Sequence, residues 1–574
     1  MNWENSTWVN PLSGLNIPYH SNGNDLVSSG LLSYELLPGF SIKTSLGFSN
    51  TMFNDQFARP STSYDPAQER TSESSLMRKN SVDRKSWIVE PQLSYSKDFK
   101  NFKTELLVGG TFQNRTSSQL VYAGLGFTSN SLMDNIAGAN RQVVSVDDKT
   151  EYRYNALFGR LNFNLFDRYI INLTGRRDGS SRFGPGNRFA NFGALGLAWL
   201  FSEEPFVQNH FSFISFGKLR FSYGTTGSDL IGDYQYLDTY SVSGKNYAGI
   251  SVLEPSRLYN PSFSWEENKK MEVALETGFL KDRLFLTTSY YRNLSSNQLV
   301  GIPLAGTTGF SSIQANLDAT VENKGWEFSF RSENFRNNDF FWSTSFNLSI
   351  NNNKLLSFPG LEGSTYTNSY VIGKPLNIKK LYQYEGLDTQ NGLYQFTDFN
   401  SDGALTSAND REVTVDINPQ FYGGLANSIK YKGLTLDFLF QFVKQQNYSG
   451  LYLMGMPGEM NNNLVSVEDR WQQPGDQAKY QPYSSGTNAE LRSRYLKYRQ
   501  SNAIINDASY IRLKTISLSY KLPDHILNTV ECSIILRGQN LFTITGYDGF
   551  DPESGYINTI PPLSVMTTGI QLNF

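Results

Sequence analysis

The sequence predicts an all-β chain, a transmembrane antiparallel β-barrel of about 17 strands, and three observations carry that prediction. First, between Tyr154 and Trp199, Leu161, Phe163 and Leu165 alternate with Arg160, Asn162 and Asn164; after a turn at Asp167-Arg168, Tyr169, Ile171 and Leu173 alternate with Asn172, Thr174 and Arg176. Each strand thus has one apolar face and one wet face, the period-2 pattern of a barrel with lipid outside and water inside. Second, no uninterrupted apolar run reaches the roughly 18 residues that a spanning helix needs, whereas Tyr (33) and Phe (40) are abundant. Only helices and closed barrels satisfy every backbone group in lipid, so membrane contact falls to strands. Third, short and long connections alternate along the chain.

In chain order, alternation and turn residues place strands near 25–37, 40–56, 78–97 and 102–121, then 147–166, 168–179, 188–201 and 214–226. Two long hairpins follow, at 265–280 with 284–298 and at 319–334 with 340–353. The last five strands fall near 419–431, 434–447, 508–522, 529–541 and 564–574. Met271, Val273, Leu275 and Phe279 face one way against Glu272, Ala274, Glu276 and Gly278, and the final Ile570-Gln571-Leu572-Asn573-Phe574 ends on an aromatic. Phe99, Phe102, Phe166, Tyr169, Phe279, Phe285 and Tyr431 crowd the short turns, the depth at which an interfacial girdle is expected.

Short connections include Leu37-Pro38-Gly39, Asp98-Phe99-Lys100-Asn101, Asp167-Arg168, Lys281-Asp282-Arg283 and Lys432-Gly433. Long loops are expected near 122–146, 227–264, 299–318, 354–418 and 448–507. Transmembrane barrels have short periplasmic turns and long extracellular loops, which puts residues 1–24 outside the cell and the C-terminus in the periplasm. A bacterial single-chain barrel has an even strand number and both ends periplasmic, so this odd count expects at least one strand before Met1. The opening MNWENSTWVNPL has neither the basic nor the apolar region of a secretory signal.

A net charge of −3 with scattered basic residues excludes the electrostatic footprint of a nucleic-acid partner. The single Cys532 rules out an intramolecular disulfide and a cysteine-based metal site. Catalysis finds no support: His20, His210 and His525 lack metal-ligand spacing, and neither a GxSxG elbow nor a P-loop occurs. Glu203-Glu204 and Glu266-Glu267 are adjacent, so on a strand their side chains would point to opposite faces and could not jointly flank a bond.

The best candidate site lies in loop 354–418. Asp398, Asn400 and Asp402 occupy positions 1, 3 and 5 before Gly403, an oxygen-rich arrangement able to curl round a calcium ion, and Asp410 closes the segment one residue late. The same residues also make the bends of a solvated acidic turn, and both readings stay open. Arg176, Arg177, Arg182 and Arg188 could bind an anion but more often pair with neighbouring acids. Tyr234, Tyr236, Tyr366, Tyr370, Trp471, Tyr480 and Tyr483 suit either a ligand or a protein partner.

The segment Arg176-Arg177-Asp178-Gly179-Ser180-Ser181-Arg182-Phe183-Gly184, followed by Trp199 and Glu204-Pro205-Phe206, resembles the barrel motif of SusC/RagA-like TonB-linked outer-membrane transporters of the Bacteroidetes. Further matches are Lys218-Leu219-Arg220-Phe221-Ser222-Tyr223-Gly224, Asn323-Lys324-Gly325-Trp326-Glu327, Tyr510-Ile511-Arg512-Leu513, Gly538-Gln539-Asn540-Leu541 and Tyr547-Asp548-Gly549-Phe550-Asp551-Pro552-Glu553. Gly193 stands where the family usually has proline, and Ser228 follows Gly227 where asparagine is common.

The resemblance implies a 22-stranded type of barrel with a plugged lumen, of which residues 1–574 supply about 17 strands without signal peptide, plug or TonB box. It further implies uptake of oligosaccharides or oligopeptides beneath a SusD-like lipoprotein lid, driven by TonB-ExbB-ExbD through an upstream segment. The alternative is a plug-less outer-membrane pore or surface scaffold without active transport.

Overall fold

The computed structural model describes residues 10–453, 455–523, 530–554 and 559–573. His525, the terminal Phe574 and the first nine residues lie outside the described residues. Among the described residues, seventeen long strands form the wall: β1 (Tyr19–Leu37), β2 (Phe40–Arg59), β3 (Leu76–Asp98), β4 (Phe102–Phe127), β5 (Ala139–Leu165), β6 (Tyr169–Ser180), β7 (Phe189–Trp199) and β8 (Ile214–Ser228). They continue as β9 (Glu266–Phe279), β10 (Leu284–Ser296), β11 (Thr320–Arg336), β12 (Phe340–Ser357), β13 (Phe421–Tyr431), β14 (Leu434–Lys444), β15 (Tyr510–Lys521), β16 (Glu531–Gln539) and β17 (Val565–Asn573). Each pairs antiparallel with its neighbours in sequence, an up-and-down meander, and a three-residue strand, Thr543–Thr545, adds beside the upper end of β15. Among the described residues, β1 and β17 each pair with a single wall strand, and both are exposed along their length.

Register sorts the side chains as alternation predicts. Leu161 lies opposite Leu106 and Leu173, while Arg160 lies opposite Leu107 and Thr174, so like faces align across β4, β5 and β6. On the apolar side Leu106, Val108, Leu157, Leu173, Leu197, Leu219 and Leu275 all stand exposed, an unfavourable arrangement in water. Each large side chain of this kind gains about 1.5–3 kcal/mol on leaving water, which is what a hydrocarbon surround supplies. On the other face, Arg160 reaches Glu105 at 2.7 Å, and Arg220 reaches Glu272 at 2.8 Å and Glu276 at 3.0 Å, linking β4 to β5 and β8 to β9.

The short turns need special backbone. Gly39 adopts φ +80°, and a Cβ there would sit 2.1 Å from the Ser96 carbonyl oxygen. Asp167 takes φ 56° in the β5–β6 turn, where its carboxylate accepts from Lys103 Nζ at 3.0 Å and from Asn164 at 2.9 Å.

Four features differ from the sequence expectation. The strands run further at the long-loop end, so that β4 and β5 take up much of 122–146 and leave only residues 128–138 as a loop. The β7–β8 connection is long although it lies at the short-turn end; it carries helix α1 (Pro205–His210), with Pro205 opening the helix. Just before it, Glu204 accepts from Tyr169 Oη at 2.6 Å and Trp199 Nε1 at 3.1 Å, which fixes both aromatics at that rim. Phe285 does not join the girdle: it lies opposite Gly278 on the polar face, and its ring packs on Phe216 at 5.6 Å.

The long loops, finally, are folded. Thr239–Tyr247 pairs with Ile250–Arg257, Gln298–Pro303 pairs with Ser312–Leu317, and loop 448–507 contains helix α2 (Ala489–Tyr498), capped by Asn488.

Candidate functional site

The long-loop end is where the chain builds enclosed, chemically specific structure. Loops 358–420 and 445–509 share a core of Tyr382, Tyr394, Phe396, Met456, Tyr495, Tyr498 and Ile504. Tyr394, fully buried, stacks on Tyr498 of α2 at 4.3 Å, and Tyr384 meets Tyr498 edge-on at 5.3 Å. Such pairs are worth about 0.5–1.5 kcal/mol each beyond their buried area. Burial pushes the Tyr384 and Tyr495 hydroxyls up to about 12, so both remain neutral donors. The bridge between Tyr382 and Ser501 ties the two loops through backbone as well.

The RDGSS segment forms the top of β6 and the loop after it. Arg176 pairs with Asp178 at 2.5 Å and donates to Tyr154 Oη at 2.6 Å. Arg182 pairs with Asp233 at 2.9 Å, donates to the Asp229 carbonyl at 2.8 Å and covers the Tyr152 ring at 4.4 Å. Arg177 lies over Phe189 and donates to Asn191, and Arg188 is exposed. These four arginines therefore do not converge; Arg182 fastens the loop after β8 to the wall, while Arg176 and Arg177 bond within it. Phe183, Phe263 and Trp265 form the adjoining aromatic core, against which Tyr236 packs.

The candidate calcium residues occupy a tight loop between strands Tyr394–Phe396 and Val413–Asp416. Asp410 is fully buried, and its two carboxylate oxygens accept the N–H groups of Phe399 at 3.0 Å and Thr406 at 2.6 Å. Asp398 Oδ2 accepts from Gly403 N–H at 2.8 Å, and Asp402 accepts from Ala404 N–H and Asn400 Nδ2, both at 2.8 Å. The Ala404 N–H and the Asn400 amide hold the Asp402 carboxyl below the usual carboxylate range. Asp398 Oδ1 is enclosed without a hydrogen-bond partner. Among the described residues, no three His, Cys, Asp or Glu side chains stand close enough together to hold a metal ion.

The loop aromatics mostly serve packing. Tyr366 and Tyr370 stack on each other at 5.7 Å and pack on Phe358. Trp471 donates to the Thr389 carbonyl at 2.9 Å, Tyr480 is buried with Val467, and Tyr483 lies under Arg470 at 3.9 Å. Tyr234 Oη accepts the N–H of Glu151 at 3.0 Å. Tyr234 and Tyr236 also border a cavity of about 800 Å³ beside β3–β7, with Trp87, Phe112 and Phe189. Sequence reading missed a cluster of lysines and arginines where the two long loops meet; these residues come from segments up to 120 positions apart and share no local pattern.

The family model described as TonB dependent receptor-like, beta-barrel, matches residues 2–541. The chain is 29% identical over 562 residues to TonB-dependent receptor P3 of Formosa agariphila, covering 92% of this chain and 54% of that protein. It is 27% identical over 457 residues to TonB-dependent receptor SusC of Bacteroides thetaiotaomicron, covering 73% of this chain and 43% of that one. The chain thus spans about half the length of these relatives. Its fold matches the structure of the RagAB peptide transporter with a TM-score of 0.86 at 23% identity, covering 98% of this chain and 63% of that chain. Outer-membrane receptors and transporters, not enzymes, make up this family. The meander, its two-faced strands and the match over nearly its whole length place the chain in the TonB-dependent receptor β-barrel family, in its SusC/RagA-like form.

Proposed function

We propose that this chain forms the wall and loop canopy of a TonB-dependent outer-membrane importer that takes up oligosaccharides or oligopeptides beneath a SusD-like lipoprotein lid. The observation that carries the reading is the canopy: two loops of about 60 residues, folded round one buried tyrosine core, crown a polar-faced wall whose fold matches a peptide transporter. A rigid canopy suits a docking surface for a lid, whereas loops of an open pore need no shared core. The long loops then face the cell exterior and the C-terminal strand runs towards the periplasm. The free edges of β1 and β17 call for about five further strands to close a 22-stranded wall, with a plug inside it.

Uptake of labelled oligosaccharide and peptide pools by cells with and without the gene, in the presence and absence of a protonophore, tests the importer. Uptake that ignores both the gene and the proton gradient would sink it. A large constitutive current from the natural full-length form in planar bilayers would favour the plug-less pore instead.

For the Asp398–Asp410 loop we propose the acidic-turn role, since Asp410 and Asp402 already satisfy the loop's own N–H groups. The calcium reading keeps one supporting observation, the enclosed and unpartnered Asp398 Oδ1. Calorimetric titration with calcium decides: binding that Asp398→Asn abolishes would replace the turn reading.

A further inference from the structure

Among the described residues the enclosed arginines fall into two groups, those that meet a carboxylate and those that do not. Arg176, Arg182 and Arg512 each face a carboxylate at 2.5–2.9 Å. Arg411 and Arg499 do not: among the described residues neither lies within ion-pair distance of an acid, and the Nε of each is shut away from solvent with no hydrogen-bond partner. Both line the same cleft of about 390 Å³, where the strand Ile378–Leu381, the end of the acidic turn and the C-terminus of α2 meet.

Lys379 and Lys380 both border the cleft from the strand, on its opposite faces, and Tyr448 and Tyr452 form an aromatic wall with ring centroids 4.7 Å apart. Lys379 Nζ lies 6.0 Å from the Tyr448 ring and Arg499 lies 5.1 Å from the Tyr452 ring. Only Lys380 has an acid near it, Glu412 at 3.8 Å, and that carboxylate is half exposed. Arg411, Arg499 and Lys379 therefore line one half-enclosed space, and Lys380, the one of the four with an acid near it, borders it. Like charges gathered in one cleft repel, and a guanidinium nitrogen removed from water without an acceptor is costly. A bound oxyanion relieves both costs, through charge-assisted and bidentate hydrogen bonds.

We propose that this cleft binds an oxyanion, a carboxylate, carried on an oligomeric ligand whose adjoining ring or side chain stacks on Tyr448 and Tyr452. The proposal rests on the importer reading and narrows its ligand to anionic oligomers. Arg411 and Arg499 supply the forks, Lys379 adds a mobile charge, and the tyrosine wall orients the neighbouring unit.

The test is fluorescence-anisotropy binding to the purified full chain in detergent, using labelled tetragalacturonate against its methyl ester, and tetraglutamate against tetraglutamine. At least one anionic probe is expected to bind about tenfold or more tighter than its neutral counterpart, and the carbohydrate and peptide arms identify which scaffold is preferred. Arg411→Gln and Arg499→Gln are each expected to lower that affinity by about tenfold, while Lys85→Gln on the wall leaves it unchanged. Should Arg411→Gln fail to assemble, Lys379→Gln gives the same reading. Neutral probes that bind as well as charged ones, no binding of any probe, or variants that bind like the parent would each overturn the proposal. Binding is measured without TonB or a membrane potential, so it can succeed where uptake fails, and the reverse.

Discussion

Replacing Arg512 with alanine is expected to destabilise the barrel by about 3–5 kcal/mol, the usual cost of removing one partner from a buried ion pair. The side chain stands at the upper end of β15 and is only 2% exposed. Its two Nη atoms meet Asp551 and Glu553 at 2.5 Å each, and its Nε donates to Thr543 at 2.8 Å. Asp551 is 8% exposed, so in the variant its carboxylate stays enclosed without its cation. Glu553 loses less, because it is a third exposed and keeps Lys514 at 3.0 Å. Asp551 therefore bears most of the cost. Urea unfolding of the purified protein in detergent, followed by tryptophan fluorescence, measures the loss. Asp551→Ala in the Arg512→Ala background is expected to recover part of it, since the stranded charge is gone, with a coupling of about 1–3 kcal/mol. An Arg512→Ala variant within about 0.5 kcal/mol of the parent, the range of an ordinary surface change, would refute the reasoning.

Gly39→Ala is expected to distort the β1–β2 turn, because the new methyl group meets the Ser96 carbonyl at φ +80°; reduced assembly into a heat-resistant form on semi-native gels checks this. Tyr394→Ala removes a fully buried ring from the stack on Tyr498 and is expected to cost the canopy about 3–5 kcal/mol, seen as faster proteolysis within 448–507 while the wall stays resistant. Asp507 sits 2.6 Å from Lys444 Nζ, and that contact, with the Ser509 hydroxyl, holds its carboxyl down at about 2. Its stabilisation is therefore present above the unfolded carboxylate value of about 3.9 and is lost as pH falls through about 2. The pair is exposed and contributes well under about 1 kcal/mol, so the readout is local: hydrogen exchange at Gln446–Tyr448 should quicken between pH 4 and 2 in the parent, with no such step in Lys444→Gln.

The wall was legible in the sequence because its information is local. Apolar and polar residues at Tyr154–Trp199 alternate with period two, and a strand places successive side chains on opposite faces whatever lies around it. Leu37-Pro38-Gly39 and Asp167-Arg168 announce turns through residues that accept positive φ, again without reference to distant parts. Strand number, the pairing of neighbours and the two faces all follow from such patterns. Strand ends were less legible. Above the membrane band the alternation no longer separates lipid from water, so the continuation of β4 and β5 past Leu120 leaves no mark in polarity.

The canopy could not be read in the same way. Tyr394 and Tyr498 lie more than a hundred residues apart, yet they stack at 4.3 Å, and Arg411, Arg499 and Lys379 meet in one cleft from three separate segments. Nothing in the spacing of either loop encodes the other, and Tyr or Arg in a polar loop looks the same whether it faces solvent, a ligand or a partner. The calcium-like spacing of Asp398, Asn400 and Asp402 shows the opposite limit. Sequence placed the oxygens in order, but only the folded loop decided that Asp410 turns inward to its own backbone. Period and turn chemistry thus determined the wall by themselves, because they act between chain neighbours. Tertiary structure alone decided the canopy and its charged cleft, because contacts between loops depend on where the wall holds their ends.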